Sequence, residues 1–168
     1  MPEVQVEFSL RSEADTEQLG RRLARELRPA MVVFLRGELG AGKTTLVRGV
    51  LRALGVSGAV KSPTYTLVEL YRTPAFAVHH FDLYRLRDPH ELEEMGVRDY
   101  LSRDAVVLVE WPERAAPLLT DCDLDVQLRA TLDGHARLAR LLAASDSGRN
   151  ILQSLRAEHI GLQMAENS

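Results

Sequence analysis

An α/β fold, with a mostly parallel central sheet flanked by helices and antiparallel hairpin additions, is predicted by three observations. The first is the apolar run Met31-Val32-Val33-Phe34-Leu35, which leads through the glycine-rich stretch Gly37-Glu38-Leu39-Gly40-Ala41-Gly42-Lys43-Thr44-Thr45 into a helical repeat. The second is another continuous apolar run, Ala105-Val106-Val107-Leu108-Val109, which ends in Glu110. Runs that are apolar at every position suit strands covered on both faces. The third is two pairs of strand-like segments, each joined by a short turn, near 67–81 and 124–142.

Taken in order, Val4, Val6, Phe8 and Leu10 alternate as in a half-buried strand. Ser12-Glu13-Ala14-Asp15 has the form of a capping box, so a helix starts there. Leu19, Leu23, Ala24 and Leu27 share its apolar face, and Pro29 is expected to end it. Arg21, Arg22, Arg25 and Arg28 crowd much of the opposite side and read as a solvated face. This helix is expected to pack over the edge of the core. After the glycine stretch, Val47, Val50, Leu51 and Leu54 keep helical spacing up to a stop at Gly55. A loop then leads to Ser62-Pro63-Thr64-Tyr65-Thr66. Residues 67–71 and 76–81 form the first hairpin. Asp88-Pro89-His90-Glu91 supplies an N-cap, a proline at the first helical position and a carboxylate three residues after the cap. The helix it starts is expected to run unbroken through Leu92, Met95 and Val97 towards Tyr100 and Leu101. Leu124 to Arg129 alternates, Asp133-Gly134 turns the chain into Ala136 to Leu142, and a last helix gathers Ile151, Leu152 and Leu155. The final few residues are expected to fray.

With 168 residues, 45% of them apolar, one core can be buried and a second full domain has no room. The expected organisation is a single domain over residues 1–146, with 147–168 as a C-terminal helix and frayed tail of the same domain. The lone Cys122 excludes an internal disulfide and reads as a packed residue rather than a nucleophile. The first seven residues lack the basic start and apolar run of a signal peptide, and no segment approaches membrane-spanning length, so a cytoplasmic protein without a membrane partner is expected. A net charge of −3 argues against binding DNA or RNA through the chain's own phosphate contacts, which leaves any RNA connection indirect.

The stretch Gly37 to Thr45 fits the phosphate-loop pattern G-x-x-x-x-G-K-[ST], with a strand before it and a helix after it. Its glycines let the backbone turn N–H groups around a polyphosphate, and the helix N-terminus adds partial positive charge behind them. Glu38, Leu39, Gly40, Ala41, Gly42, Lys43, Thr44 and Thr45 are therefore the candidate nucleotide-binding residues. Lys43 would reach the terminal phosphates and the Thr44 hydroxyl would bind Mg²⁺. Glu110, closing a buried strand, stands where such proteins carry a metal-side carboxylate, with Glu where Asp is more usual. Guanine recognition normally uses N-K-x-D, but Asn150 and Asn167 are followed by Ile and Ser, so ATP is the expected nucleotide.

Four elements stand in one order: Gly37 to Thr45, Ser62-Pro63-Thr64-Tyr65-Thr66, His80-Phe81-Asp82-Leu83-Tyr84-Arg85-Leu86, and Val107-Leu108-Val109-Glu110-Trp111-Pro112. Together they resemble the bacterial tRNA threonylcarbamoyladenosine biosynthesis ATPase family, TsaE, over roughly residues 5 to 143. The resemblance implies a small Mg²⁺-dependent ATPase that works with the TsaD and TsaB proteins. That pathway places a threonylcarbamoyl group on the adenosine beside the anticodon of certain tRNAs. In the family, TsaD carries out the transfer and ATP hydrolysis supports repeated turnover. The resemblance assigns Lys43 to the phosphates, Thr44 and Glu110 to the metal side, and Thr64 and Asp82 to switch-like positions near the terminal phosphate. Trp111 matches a tryptophan beside the site. His80 reads as a packed strand residue rather than a general base.

Two other classes share the same loop: a small-molecule kinase, which needs an acceptor pocket and an arginine-rich lid, and a nucleotide-dependent switch without chemistry of its own. Arg85 and Arg87 are the only hint of such a lid. Arg48 and Arg52 fall on the helix leaving the loop, so no arginine of the chain is well placed to stabilise charge. Hydrolysis is therefore expected to be slow until the partner complex binds beside Thr64 and Asp82.

Overall fold

Seven strands, β1 (Gln5–Leu10), β2 (Val32–Arg36), β3 (Val68–Arg72), β4 (Ala77–Asp82), β5 (Ala105–Glu110), β6 (Leu124–Ala130) and β7 (Arg137–Ala143), form one sheet in the order β1-β7-β6-β2-β5-β4-β3. The computed structural model describes residues 3–166, with the side chains of residues 3–158. The inner strands β6, β2, β5 and β4 run parallel; β7 and β3 flank them antiparallel, and β1, antiparallel to β7, runs in the direction of the inner four. Three of the six pairings are parallel and three antiparallel: a mixed sheet whose centre is parallel and whose antiparallel pairings lie at its two sides, the arrangement expected. Connectivity explains the two hairpins, β3–β4 and β6–β7: strands joined by short turns pair antiparallel, while parallel neighbours need a crossover.

Two helices built by the expected patterns cover one face of the sheet near its centre: α1 (Glu13–Ala24) and α2 (Lys43–Ala53). Leu19, Leu23, Val47, Val50 and Leu51 are buried there against Val33 and Leu35 of β2 and Val106 and Leu108 of β5. Each such side chain contributes about 1.5–3 kcal/mol of transfer free energy. The opposite face buries Phe34, Phe81, Val107 and Val109 under Leu83, Leu92, Val97, Ala115 and Leu119. Rather than lying over an edge, α1 sits directly on α2. Glycines allow this approach: a Cβ on Gly20 would lie 2.3 Å from the Leu46 carbonyl, and one on Gly49 would lie 2.2 Å from that of Glu17. The helix behind the glycine loop is thereby held from above.

Three local expectations are corrected. Ser12 does cap α1, accepting from Asp15 N at 3.1 Å, but the helix ends at Ala24 instead of Pro29. The chain has to leave the helix to bond Ala30 N to the Ala105 carbonyl, and the Arg28 side chain takes up the freed carbonyls of Arg25 and Leu27. Arg22 is buried, not solvated. Its guanidinium binds Glu158 at 2.8 Å and the Leu155 carbonyl, tying α1 to the final helix α5 (Asp146–Glu166). The single helix expected after Asp88 is two short ones, α3 (His90–Glu94) and α4 (Val97–Tyr100), because Gly96 between them adopts φ +75°. Its entry follows the capping logic: Asp88 Oδ1 accepts from His90 N, and Glu91 Oε1 accepts from Asp88 N. α5 buries Ile151, Leu152 and Leu155, as expected. The fraying expected at the chain end lies outside the described residues. Among the described residues, no helix is long and apolar enough to cross a membrane.

Candidate functional site

The carboxyl ends of the parallel strands carry the site. Gly37 to Gly42 leave β2 with φ values of +149°, +80° and +106° at Gly37, Gly40 and Gly42, a region L side chains rarely adopt. Gly37 also passes so close to β6 that a Cβ would lie 2.4 Å from the Leu128 carbonyl. The helix α2 begins at Lys43 with Gly42 as its N-cap, no capping side chain and no acidic residue in its first turn. Its first N–H groups therefore face outward without an internal acceptor, an arrangement suited to binding an anion.

The Lys43 ammonium is folded against this loop. It donates to the carbonyls of Gly37 and Glu38, the latter at 3.0 Å, and lies 4.4 Å from the centre of the Trp111 ring. Burial lowers the Lys43 pKa, and the negative charges of Glu110 and Asp82 pull it back up in part. One residue on, the Thr44 hydroxyl lies 3.0 and 3.1 Å from the two carboxylate oxygens of Glu110. Glu110 ends β5 and stands opposite Asp82, which ends β4, so the register of two parallel strands sets the two carboxylates side by side. Both are buried.

Asp82 is held by the 62–66 segment and by the turn that follows it. It accepts from Ser62 Oγ, from Thr64 Oγ1 at 3.4 Å and from Tyr84 N at 3.0 Å. Burial pushes its carboxyl above the ordinary range, with the Tyr84 N–H acting against that shift. Trp111 turns the chain at φ +58°, packs on Tyr84 at 5.1 Å between ring centres, and has Arg114 5.9 Å from its own ring centre. On the rim, Tyr65 is 82% exposed and carries the Arg85 guanidinium over its ring at 4.3 Å.

A cavity of about 400 Å³ joins these groups: Lys43, Thr44, Thr64, Asp82, Glu110 and Trp111 all line it, together with Leu39, Gly40, Ala41, Gly42 and Thr45. Of the candidate residues only Glu38 stands outside the wall, contributing its carbonyl to Lys43. Ser62, Tyr84 and Arg85 also line this cavity. Ser62 and Tyr84 belong to the segments 62–66 and 80–86, where a serine and a tyrosine carry no distinguishing chemistry in the sequence alone. A second cavity of about 340 Å³ shares Gly40, Ala41, Gly42 and Thr45 and opens between the start of α1 and the β6–β7 turn, with Arg11, Thr16 and Arg137 in its wall. Arg137 also donates to the Gly40 carbonyl at 3.3 Å. The chemistry on offer is a row of N–H groups and one ammonium for an oxyanion, a hydroxyl and carboxylate oxygens for a hard cation, and a second buried carboxylate beside them. Cys122 takes no part; burial pushes its thiol up to about 11, as expected of a packed residue.

The model of the family described as "Threonylcarbamoyl adenosine biosynthesis protein TsaE" matches residues 10–139. A Haemophilus influenzae protein named tRNA threonylcarbamoyladenosine biosynthesis protein TsaE is 49% identical over 125 residues, covering 74% of this chain and 78% of its own. Proteins of the same name from Synechocystis and Mycobacterium leprae are each 40% identical, covering 70% and 79% of this chain and 77% and 92% of theirs. The crystal structure of Bacillus subtilus YdiB shares the fold with a TM-score of 0.81 at 23% identity, covering 95% of this chain and 99% of that one. The matched region runs from the end of β1 into β7 and so contains the glycine loop, both buried carboxylates and the 62–66 segment. This chain belongs to the TsaE family of threonylcarbamoyl adenosine biosynthesis proteins.

Proposed function

We propose that this chain is a phosphate-loop ATPase that hydrolyses Mg²⁺-ATP in support of tRNA N6-threonylcarbamoyladenosine formation, acting with TsaD and TsaB and meeting tRNA only through them. The observation that carries this reading is the convergence of Lys43, Thr44, Asp82 and Glu110 on one cavity at the open N-terminus of α2. Phosphoryl transfer asks a protein mainly to position groups and to neutralise charge, and this set is equipped for both.

In this reading the N–H groups of the loop and of the first turn of α2 bind the phosphates. Lys43 exchanges the carbonyls of Gly37 and Glu38 for the terminal phosphate oxygens. The adenosine end enters the second cavity, which adjoins Thr45 and the same glycines. Thr44 Oγ1 and Glu110 would hold Mg²⁺, which neutralises charge on the phosphates when bound. These hard oxygen donors fit that ion, which keeps most of its shell as water and phosphate oxygens. Asp82, aimed by Ser62, Thr64 and Tyr84 N, accepts a hydrogen from the attacking water; a carboxylate made more basic by burial suits that task.

Among the described residues, the arginines near the site are engaged elsewhere or stand at its rim: Arg137 donates to the Gly40 carbonyl in the wall of the second cavity, where Arg11 also lies. Arg48 is engaged by Glu13 and Glu17 on the outside of α2, and Arg52 by the carbonyls of Val56 and Gly58. Arg85 lies on Tyr65 at the rim, and Arg114 lies beyond the rings of Tyr84 and Trp111. Slow hydrolysis by the isolated chain follows, with the partner complex ordering or completing the site next to Thr64 and Asp82. The test is phosphate release from a panel of nucleotides, with and without TsaD and TsaB. ATP alone should be hydrolysed slowly, GTP poorly, and the partners should raise the ATP rate, by up to the roughly 10³–10⁵ that a supplied arginine contributes. Arg85→Ala should reduce that stimulation without abolishing nucleotide affinity. Fast hydrolysis by the chain alone, unaffected by saturating partners, would contradict this reading, and phosphate transferred to a small acceptor would make it a kinase.

Trp111, the only tryptophan in the chain, offers a direct readout. Lys43 lies over its ring, so moving that ammonium onto phosphates changes the environment of the indole. A saturable fluorescence change on adding Mg²⁺-ATP or ADP is expected. A flat titration under conditions where calorimetry detects binding would place the nucleotide away from Trp111.

A further inference from the structure

The side chains of β4 and β5 that point towards α2 form two matched columns. Val78 pairs with Val106, His80 with Leu108, and Asp82 with Glu110. His80 thus occupies a row beneath the two carboxylates in which its neighbour is a leucine, and it is fully buried, at 0% exposure. It does not line the cavity, so it cannot meet a substrate there. An imidazole at that depth is costly unless its polar atoms are used. One of them is: Nε2 lies 2.7 Å from Glu110 Oε2. The other, Nδ1, is buried without a hydrogen-bond partner. Hydrogen bonding therefore assigns the proton to Nε2, which donates to the carboxylate. A hydrogen on Nδ1 would be a buried donor with no acceptor, the more expensive alternative.

We propose that His80 is a positioning residue for Glu110, fixing the carboxylate from below while the Thr44 hydroxyl engages it from the loop side. This rests on the reading of Glu110 as the metal-side carboxylate. Two contacts from different elements, one on β4 and one on α2, hold both carboxylate oxygens in place. The carboxylate is then oriented before a cation arrives, and none of the binding free energy is spent on ordering it. Partners of this kind, which bond a metal-binding side chain without touching the metal, typically account for about 10–100-fold in metal affinity. The same bond explains why a histidine, rather than a second aliphatic residue beside Val78, stands in this column of β4.

The test compares His80→Gln with His80→Asn in the full chain. The glutamine amide nitrogen reaches the place of Nε2 and keeps a donor for Glu110; the shorter asparagine places its amide near Nδ1 and leaves Glu110 without one. Calorimetry of ATP binding, with and without Mg²⁺, gives the Mg²⁺ dependence of affinity, and circular dichroism reports the fold. His80→Asn should weaken that dependence by about 10–100-fold and leave Mg²⁺-free affinity nearly unchanged, while His80→Gln stays close to wild type. Equal behaviour of the two variants would overturn the proposal. So would loss of folding in both, which would make His80 a packing residue. Glu110→Gln measured alongside separates the two levels. If it leaves the Mg²⁺ dependence untouched, the reading of Glu110 itself fails; if it alters the dependence while His80→Asn does not, only the role of His80 fails.

Discussion

Lys43→Ala is expected to remove ATP hydrolysis, by about 10²–10³-fold or more, while the fold survives. Lys43 is the only side chain in the glycine loop with a positive charge to set against terminal phosphates. Its ammonium already sits at the loop, bonded to the carbonyls of Gly37 and Glu38, and needs only a side-chain movement to serve a phosphate oxygen. The packing that holds α2 lies elsewhere, in Leu46, Val47, Val50 and Leu51 and in the Gly20–Gly49 approach to α1. Burial also opposes the charge of Lys43, so the folded state does not depend on that ammonium for its stability. Circular dichroism should stay near native. A variant with native circular dichroism and unchanged phosphate release would defeat the assignment.

The two carboxylates should fail in different ways. Glu110→Gln is expected to weaken the Mg²⁺ dependence of nucleotide affinity, because Glu110 shares the Thr44 hydroxyl on the metal side. Asp82→Asn should leave affinity largely intact and lower turnover by about 10²-fold or more, the scale of a lost general base. Asp82→Asn has a second, opposite effect on the fold. The carboxyl of Asp82 is raised above its ordinary value by burial, so the folded state disfavours its ionised form. That penalty is absent at pH below the usual carboxylate range, where both states are protonated; it grows as pH rises from the ordinary carboxylate value towards the raised one and is constant above it. Asparagine carries no such penalty and can still accept from Tyr84 N. Thermal midpoints followed against pH should therefore show the variant more stable than the wild type at neutral pH, with the difference closing in acid. An inactive variant that is more stable than its parent is the expected mark of a group kept for chemistry. Equal Mg²⁺ dependence in wild type and Glu110→Gln would contradict the division of roles.

Local patterns made the centre of the fold legible. β2 and β5 are apolar at nearly every position because both faces are covered, and the glycine loop needs its glycines for backbone reasons that appear in the sequence itself. The pairing of Asp82 with Glu110 was less accessible, since it depends on the register between strands that are distant in sequence. His80 illustrates the limit. In the alternating pattern of β4 it looks like any packed residue, and only the fold sets it against Glu110, 30 positions away. Arg22 was misread for a related reason: its partner Glu158 lies 136 residues further along and arrives only when α5 folds back over α1. The break at Gly96 did have a local signal, a glycine inside a helical pattern, which the apolar spacing of Leu92, Met95 and Val97 obscured. Two of the three antiparallel pairings, β3–β4 and β6–β7, follow from tight turns, whereas β1–β7 joins strands far apart in sequence.

The proposed function puts ATP hydrolysis in this chain, at the loop between β2 and α2, and not in TsaD or TsaB. Phosphate release from Mg²⁺-ATP tests it most directly when wild type and Lys43→Ala are each titrated into the same mixture of TsaD and TsaB. The account predicts a rate that rises to saturation with the wild-type chain and stays at the level of the partners alone with the variant. Equal stimulation by both chains would contradict it.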